Sequence, residues 1–337
     1  MPGLPSNVKE LSGIDPRALP DEVLRSTQPL VLRGLVSDWP AVQAGLESAQ
    51  ASAGYLRRFY RDATVNAMLG TPDIGGRFFY VDDLSALNFR HVRAKLNTIL
   101  DEIGFHLDAE NAPAIYVGST SVETCLPGFR DENDLGFGDR DPLVSVWIGN
   151  RTRIAAHYDL PDNIACVVAG HRRFTLFPPD QLGNLYVGPL DLTPAGQAIS
   201  LVDFASPDLA KFPRFATALE NAQIAELGPG DAIFIPSMWW HHVEALDGFN
   251  VLVNYWWRQS PGFMDSPIGA LMHAILSVRD LPAEQRAAWQ TVFNHYVFAA
   301  DETAVAHIPE AARHSLGPMD ENTARDIRAQ LLKRLNR

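Results

Sequence analysis

An imidazole and a carboxylate stand two positions apart at His157 and Asp159, within an apolar strand-like pattern. Residues i and i+2 of a strand point to one face, so both side chains can aim at a single point. Such a triplet is half of a metal site, and it is equally the ordinary pairing of a histidine with a nearby acid. A third donor bears on the choice. Ala232-Ile233-Phe234-Ile235-Pro236 reads as an apolar strand closed by a turn, and Trp239-Trp240-His241-His242-Val243 opens the next one, far enough along for antiparallel strands of a barrel to return to the first site. Two imidazoles and one carboxylate on one face of a metal leave three positions open. That arrangement suits non-haem Fe(II) oxygenases, which need those positions for a bidentate co-substrate and for O2. His241 and His242 are neighbours in a strand, so they face opposite sides and only one of them can be the ligand.

The elements that must hold these groups follow from the surrounding pattern. From residue 113 the chain consists of short apolar runs divided by turn residues: AIYVG, LVSVWIG, NIACVVAG, RFTLFPP, AIFIP, HHVEAL and NVLVNYWW. Many short strands at this spacing argue for a sandwich or barrel, assigned to residues 113–260. Residues 1–112 read as an N-terminal α/β segment packing on that barrel. In it Pro29 to Gly34 predicts a buried strand, Trp39-Pro40 opens a helical stretch to about Arg61, and His91 to His106 predicts a helix with Val92, Leu96, Ile99, Leu100 and Ile103 at helical spacing. Two long segments lack a period, a charged loop over 120–142 with Arg130, Asp131, Asp134 and Arg140, and an insertion over 190–220. Both read as solvated surface or as rims of a substrate groove. Residues 261–337 form a C-terminal helical region, with helices over Pro267 to Ala299 and Glu321 to Arg337. Its apolar stripe of Leu271, Ile275 and Val278 has two readings, packing on the protein's own barrel or a homodimer interface.

At the chemistry-bearing residues a resemblance becomes specific. The runs HYDLPDNIACVVAGHRRFTLFPPDQLGNLY, DAIFIPSMWWHHVEAL and NVLVNYWW, with the earlier PLVLRGLVSDWPA, resemble the JmjC-type cupin-like hydroxylases, the asparaginyl hydroxylase of hypoxia-inducible factor among them, over roughly residues 29–258. The resemblance implies a mainly β fold with flanking helices, a double-stranded β-helix (cupin or jelly-roll) barrel. It implies metal and catalytic residues His157, Asp159 and His241, which settles the histidine doublet because the family's ligand is the first His after the paired tryptophans. Fe(II), 2-oxoglutarate as co-substrate and O2 come with it, as does hydroxylation of a substrate C–H, foremost on a protein or peptide side chain. Asn163 and Asn254 match polar residues near the co-substrate, and either can instead be a satisfied core amide. Arg172 stands where the family commonly carries a lysine for the distal carboxylate of 2-oxoglutarate, keeping the charge and adding bidentate geometry. If Arg172 faces inward, His171 and Arg173 face out. Ile154 departs from the family's threonine, so that hydroxyl is lost or supplied elsewhere, with Tyr116 as the candidate supplier. Trp239, Trp240, Trp256 and Trp257 either wall a substrate site or fill the core.

Two alternatives from other classes stay open: a non-oxidising metal-binding cupin, such as an isomerase or ligand sensor, and an interaction protein whose co-substrate pocket has decayed, for which Ile154 is the motive. Within the enzyme class, demethylation and small-molecule or RNA hydroxylation also remain. Composition narrows the partners. In 337 residues, 28 basic against 40 acidic side chains give a net charge of −12, which disfavours a phosphate-backbone ligand. Only two cysteines occur, in no CxxC pair, so neither a disulfide framework nor a zinc ribbon is supported. With no apolar run long enough to span a bilayer and no leader-like start, the expectation is a cytoplasmic protein without a membrane partner.

Overall fold

The computed structural model describes residues 5–336, which divide into two units between Trp257 and Arg258. The first contains fifteen strands among the described residues: β1 Ser6–Asn7, β2 Lys9–Ser12, β3 Leu30–Arg33, β4 Thr64–Gly70, β5 Arg77–Phe78, β6 Arg90–Lys95, β7 Ala114–Ser121, β8 Leu143–Gly149, β9 Arg153–His157, β10 Asp162–Ala169, β11 Arg172–Phe177, β12 Gln223–Leu227, β13 Ala232–Ile235, β14 Trp240–Ala245 and β15 Asn250–Trp257. Its helices are α1 Asp21–Leu24, α2 Pro40–Glu47, α3 Ala49–Phe59, α4 Leu96–Phe105, α5 Val122–Cys125 and α6 Phe215–Glu220.

Strand β10 is buried at every position, as its unbroken apolar run requires, and it forms the middle of a large sheet in the order β2-β3-β13-β10-β15-β8-β7-β4-β6. A second sheet runs β1-β12-β11-β14-β9-β5. The eight strands β8 to β15 are shared between the two, four in each, switching sheet at every connection except that from β11 to β12, and every contact between neighbours among them is antiparallel. This is the jelly roll that the spacing of the apolar runs anticipates. At the turn from β10 to β11, Gly170 has φ +71°, and a Cβ there would collide with Asn250 Oδ1 and the Phe249 carbonyl, so only glycine can reverse the chain so closely.

Residues before the barrel do not stand apart from it. Strand β3 adds antiparallel to β13, and β4, β6 and β7 prolong the other end of the large sheet. On the outer face of that sheet, Val42, Leu56, Leu100 and Ile103 from α2, α3 and α4 join Ile164, Cys166, Phe234, Val253 and Tyr255 in the largest apolar cluster. Side chains buried to this degree each contribute about 1.5–3 kcal/mol relative to exposure. The expected helix over His91 to His106 is only half right: Arg90–Lys95 is strand β6, paired with β4, and the helix begins at Leu96. Val92 and Ala94 alternate with polar residues, a period of two that a helical count hides when one apolar residue serves both patterns.

The second unit holds α7 Pro267–Ser277, α8 Ala283–Phe293 extended by a π-helical turn to Phe298, and α9 Glu321–Leu335. The expected single helix over Pro267 to Ala299 is therefore broken before Pro282, which cannot continue a helix from within. Ser266 caps α7 and Asp320 caps α9 through side-chain acceptors. Neither α7 nor α8 contains a buried residue. Among the described residues no helix is long and apolar enough to cross a membrane.

Candidate metal centre

His157 ends β9 and His241 lies directly across from it on β14. The antiparallel pair brings the ring centroids to 4.4 Å. Asp159 lies just beyond the strand end, in the segment leading to β10, and not within a strand as the i, i+2 argument had it. The turn between β13 and β14 pins that segment: Met238 N–H donates to the Asp159 carbonyl at 2.9 Å, Ser237 Oγ donates to the Leu160 carbonyl at 2.7 Å, and Ser237 N–H donates to Asp162 at 2.9 Å. One ligand atom from each of the three residues falls within 4.8 Å of the others.

The donor chemistry of this cluster fits a divalent metal. His157 Nδ1 lies 2.9 Å from the Ala155 carbonyl and His241 Nδ1 lies 3.0 Å from the Trp239 carbonyl. A carbonyl only accepts, so both rings carry their proton on Nδ1 and keep the Nε2 lone pair free, the tautomer a metal requires. Burial first, and the nearby His157 second, push the His241 pKa down to about 4, which keeps its imidazole neutral. His241 Nε2 stands 3.6 Å from Asp159 Oδ2.

His242, on the opposite face of β14, is not part of this cluster. It stacks on Phe204 at 4.6 Å, and its ring nitrogens make no well-formed hydrogen bond. Burial, with Arg153 adding, pushes its pKa down to about 3.

A cavity of about 530 Å3 opens on the three residues and is lined from both sheets. Arg172, on β11, enters it and is 3 % exposed, while His171 is exposed and Arg173 half-buried. Among the described residues no carboxylate pairs with Arg172, and its Nε has no hydrogen-bond partner. Burial pulls its pKa down, and the only opposing influence is Tyr116. Tyr116, on β7, also lines the cavity, and burial drives its hydroxyl pKa up. Asn163 and Asn254 line it from adjacent strands as a linked pair, Asn254 Nδ2 donating to Asn163 Oδ1 at 3.2 Å while Trp147 Nε1 donates to Asn254 Oδ1 at 2.6 Å. Ile154 lies in the wall as a hydrocarbon, beside Ala155. Both face inward because the register slips by one residue between the His241–His157 and Val243–Ile154 pairs.

Of the four tryptophans singled out in the sequence, Trp256 lines the cavity, and Trp239, Trp240 and Trp257 are buried in apolar clusters. The 120–142 loop contributes nothing to the lining. Of the charges singled out there, Arg130 pairs with Glu123 and Asp134, and Arg140 with Asp21. The long insertion does contribute, through Pro194, Ala195, Gln197 and Ile199. Gln197 escapes sequence reasoning because PAGQA carries no period. Trp147, His91 and Asn66 escape it because nothing local distinguishes them from ordinary strand residues.

Comparison with known proteins now decides the family. Residues 16–263 match the model of the Cupin-like domain. The chain belongs to the Cupin-like domain family. Within this family the chain is 28% identical to Lysine-specific demethylase 8 of Xenopus tropicalis over 243 residues, 70% of this chain and 49% of that protein. It is 34% identical over 146 residues to Lysine-specific demethylase JMJ31 of Arabidopsis thaliana, 42% of this chain and 25% of that protein. It is 38% identical over 105 residues to tRNA wybutosine-synthesizing protein 5 of Danio rerio, 31% of this chain and 29% of that protein. The chain thus spans between a quarter and a half of these relatives.

Proposed function

We propose that this cupin-like domain is an Fe(II)- and 2-oxoglutarate-dependent dioxygenase that hydroxylates a C–H bond, on a protein or peptide side chain. The observation that carries this reading is one cavity containing both a three-donor cluster of the His, Asp, His type and a buried guanidinium with no carboxylate partner. A buried unpaired cation costs several kcal/mol, and an anionic ligand offsets that cost. 2-Oxoglutarate has the matching chemistry, a carboxylate for Arg172 and a keto acid end for a metal. His157, Asp159 and His241 would hold the iron, which when bound supplies oxygen activation coupled to decarboxylation of the co-substrate.

The chain's own groups do the rest. Arg172 would bind and orient the distal carboxylate, with the Tyr116 hydroxyl as the neutral donor that Ile154 cannot be. The Asn163–Asn254 pair holds a fixed polar edge, and the Trp147 indole locks Asn254 in place. The aromatic and aliphatic wall excludes water from the reacting carbon.

Succinate release from 2-oxoglutarate by protein supplied with Fe(II), ascorbate and O2 tests the reading. Turnover that disappears in His157→Ala and Asp159→Ala is the expected outcome. No turnover together with no binding of 2-oxoglutarate by the metal-loaded protein would leave the non-oxidising cupin as the better reading. A methylated lysine substrate, suggested by two relatives' names, is the alternative within the enzyme class. With a net charge of −12, nucleic acid is not the proposed substrate.

A homodimer through the C-terminal helices and a cytoplasmic location complete the proposal. Of the stripe Leu271, Ile275 and Val278, Leu271 is exposed and the other two are half-buried, and Leu276, Trp289, Val292 and Phe298 are exposed as well, apolar area that a second copy would cover. Light scattering on the purified chain should give twice the mass of one chain, and Leu276→Asp with Trp289→Asp should give the monomer. Two buried free cysteines agree with a reducing compartment.

A further inference from the structure

The charge of the substrate is written into the cavity wall. Among the residues that line it, Asp159 is the only acidic one, with one oxygen turned to the donor cluster, where a metal would take it, and the other hydrogen-bonded. Oδ2 faces His241 Nε2 in the donor cluster. Oδ1 accepts a hydrogen bond from Gln197 Nε2 at 3.2 Å. Gln197 is delivered by an anchored stretch of the insertion. Tyr80 Oη donates to the Leu192 carbonyl at 2.5 Å, Ser200 N–H donates to the Ala156 carbonyl at 2.8 Å, and Arg153 pairs with Asp203 at 3.1 Å. Against this single occupied carboxylate stands the unpaired guanidinium of Arg172.

Elsewhere the wall offers polar groups without a carboxylate, among them Asn66, Ser119 and His91, and two tryptophans. Aromatic rings can hold an ammonium when several faces surround it. Trp147 and Trp256 instead stand edge to face, 5.6 Å between centroids, so their rings are spent partly on each other, and the Trp147 N–H is committed to Asn254. An ammonium or guanidinium entering this space would lose its hydration and find no free anion. Charges buried here are little screened by salt, so a metal would repel it, as would Arg172 wherever no co-substrate carboxylate neutralises the guanidinium.

We propose that the group this cavity receives is uncharged, an amide, hydroxyl or hydrocarbon side chain and not a lysine, methyl-lysine or arginine, and that Gln197 enforces this by occupying the one carboxylate oxygen a cation would use. The inference rests on the reading that the cavity admits a substrate side chain, but its test needs no oxygenase activity. The full chain is loaded with Mn(II), whose preference for oxygen and nitrogen donors suits the cluster, and small probes are followed by proton NMR. The probes are the N-acetyl amides of leucine, glutamine and citrulline against those of lysine, trimethyllysine and arginine. Paramagnetic broadening that His157→Ala abolishes reports probes near the donor cluster.

The neutral probes should broaden at concentrations at least about tenfold below the cationic ones, a lower bound for the cost of a buried unpaired charge. Gln197→Glu should reverse the order by supplying a carboxylate. Should that variant fail to bind Mn(II), Asn66→Asp places the charge on β4 instead and should shift the order the same way. Equal or stronger broadening of lysine, trimethyllysine or arginine by the wild-type chain overturns the proposal, and so does broadening of none of the probes, since the cavity would then admit no such side chain. Failure of the oxygenase reading shows separately, as absent succinate, and leaves this measurement intact.

Discussion

The two faces of the small sheet carry the same residue types to opposite ends. On β11, Arg172 points into the cavity and Arg173 points out; on β14, His241 points in and His242 out. Outward, charges find partners. Arg173 pairs with Glu226 at 2.6 Å and reaches toward Glu244, and His171 bonds Asp247 at 2.8 Å. Inward, Arg172 has no carboxylate, and His241 has its Nδ1 bonded and its Nε2 left open. The cavity face therefore keeps binding capacity that the outer face has used up in structure. His242 departs from the outer pattern: the insertion covers it, Phe204 stacks on it, and the buried ring gains packing in place of hydrogen bonds.

Exchanging side chains between the faces tests this contrast. His241→Ala should lower succinate formation by at least about 100-fold, more than loss of a supporting partner costs. His242→Phe keeps an aromatic ring against Phe204 and removes two poorly satisfied nitrogens, so turnover should hold and chemical denaturation should change by no more than about 1 kcal/mol, in the stabilising direction. Equal damage from both substitutions would break the comparison. On the neighbouring strand, Arg172→Met should weaken 2-oxoglutarate binding by roughly 10- to 100-fold, the scale of a lost hydrogen bond to a charged group, with Arg172→Lys recovering part of it. Arg173→Met removes a half-exposed ion pair and should shift stability by about 0–1 kcal/mol while leaving co-substrate binding unchanged, as calorimetric titration would show.

Much of this site is legible in the chain itself. The seven apolar runs from residue 113 become β7, β8, β10, β11, β13, β14 and β15 because alternation and turn residues act locally. Parity within a strand then separates Arg172 from Arg173 and His241 from His242. The early strand at Leu30–Arg33 and the helical stretch from Pro40 follow from equally local signals. Errors arise where one pattern serves two structures, as in Arg90 to Lys95, and two readings stay open where charge alone cannot separate solvated surface from a groove rim, as over 120–142.

Sequence alone singled out the candidate donors for a metal and an anion, since residue type and a motif's order are properties of the chain itself, while strand parity left the histidine doublet open until the family resemblance chose His241. Tertiary structure decided what surrounds them. The register slip between β9 and β14 turns Ile154 and Ala155 both inward. The turn at Ser237 and Met238 fixes Asp159 outside any strand, and the insertion brings Gln197 onto the Asp159 carboxylate. These are contacts between segments distant in the chain, set by sheet pairing and packing, and no local period encodes them.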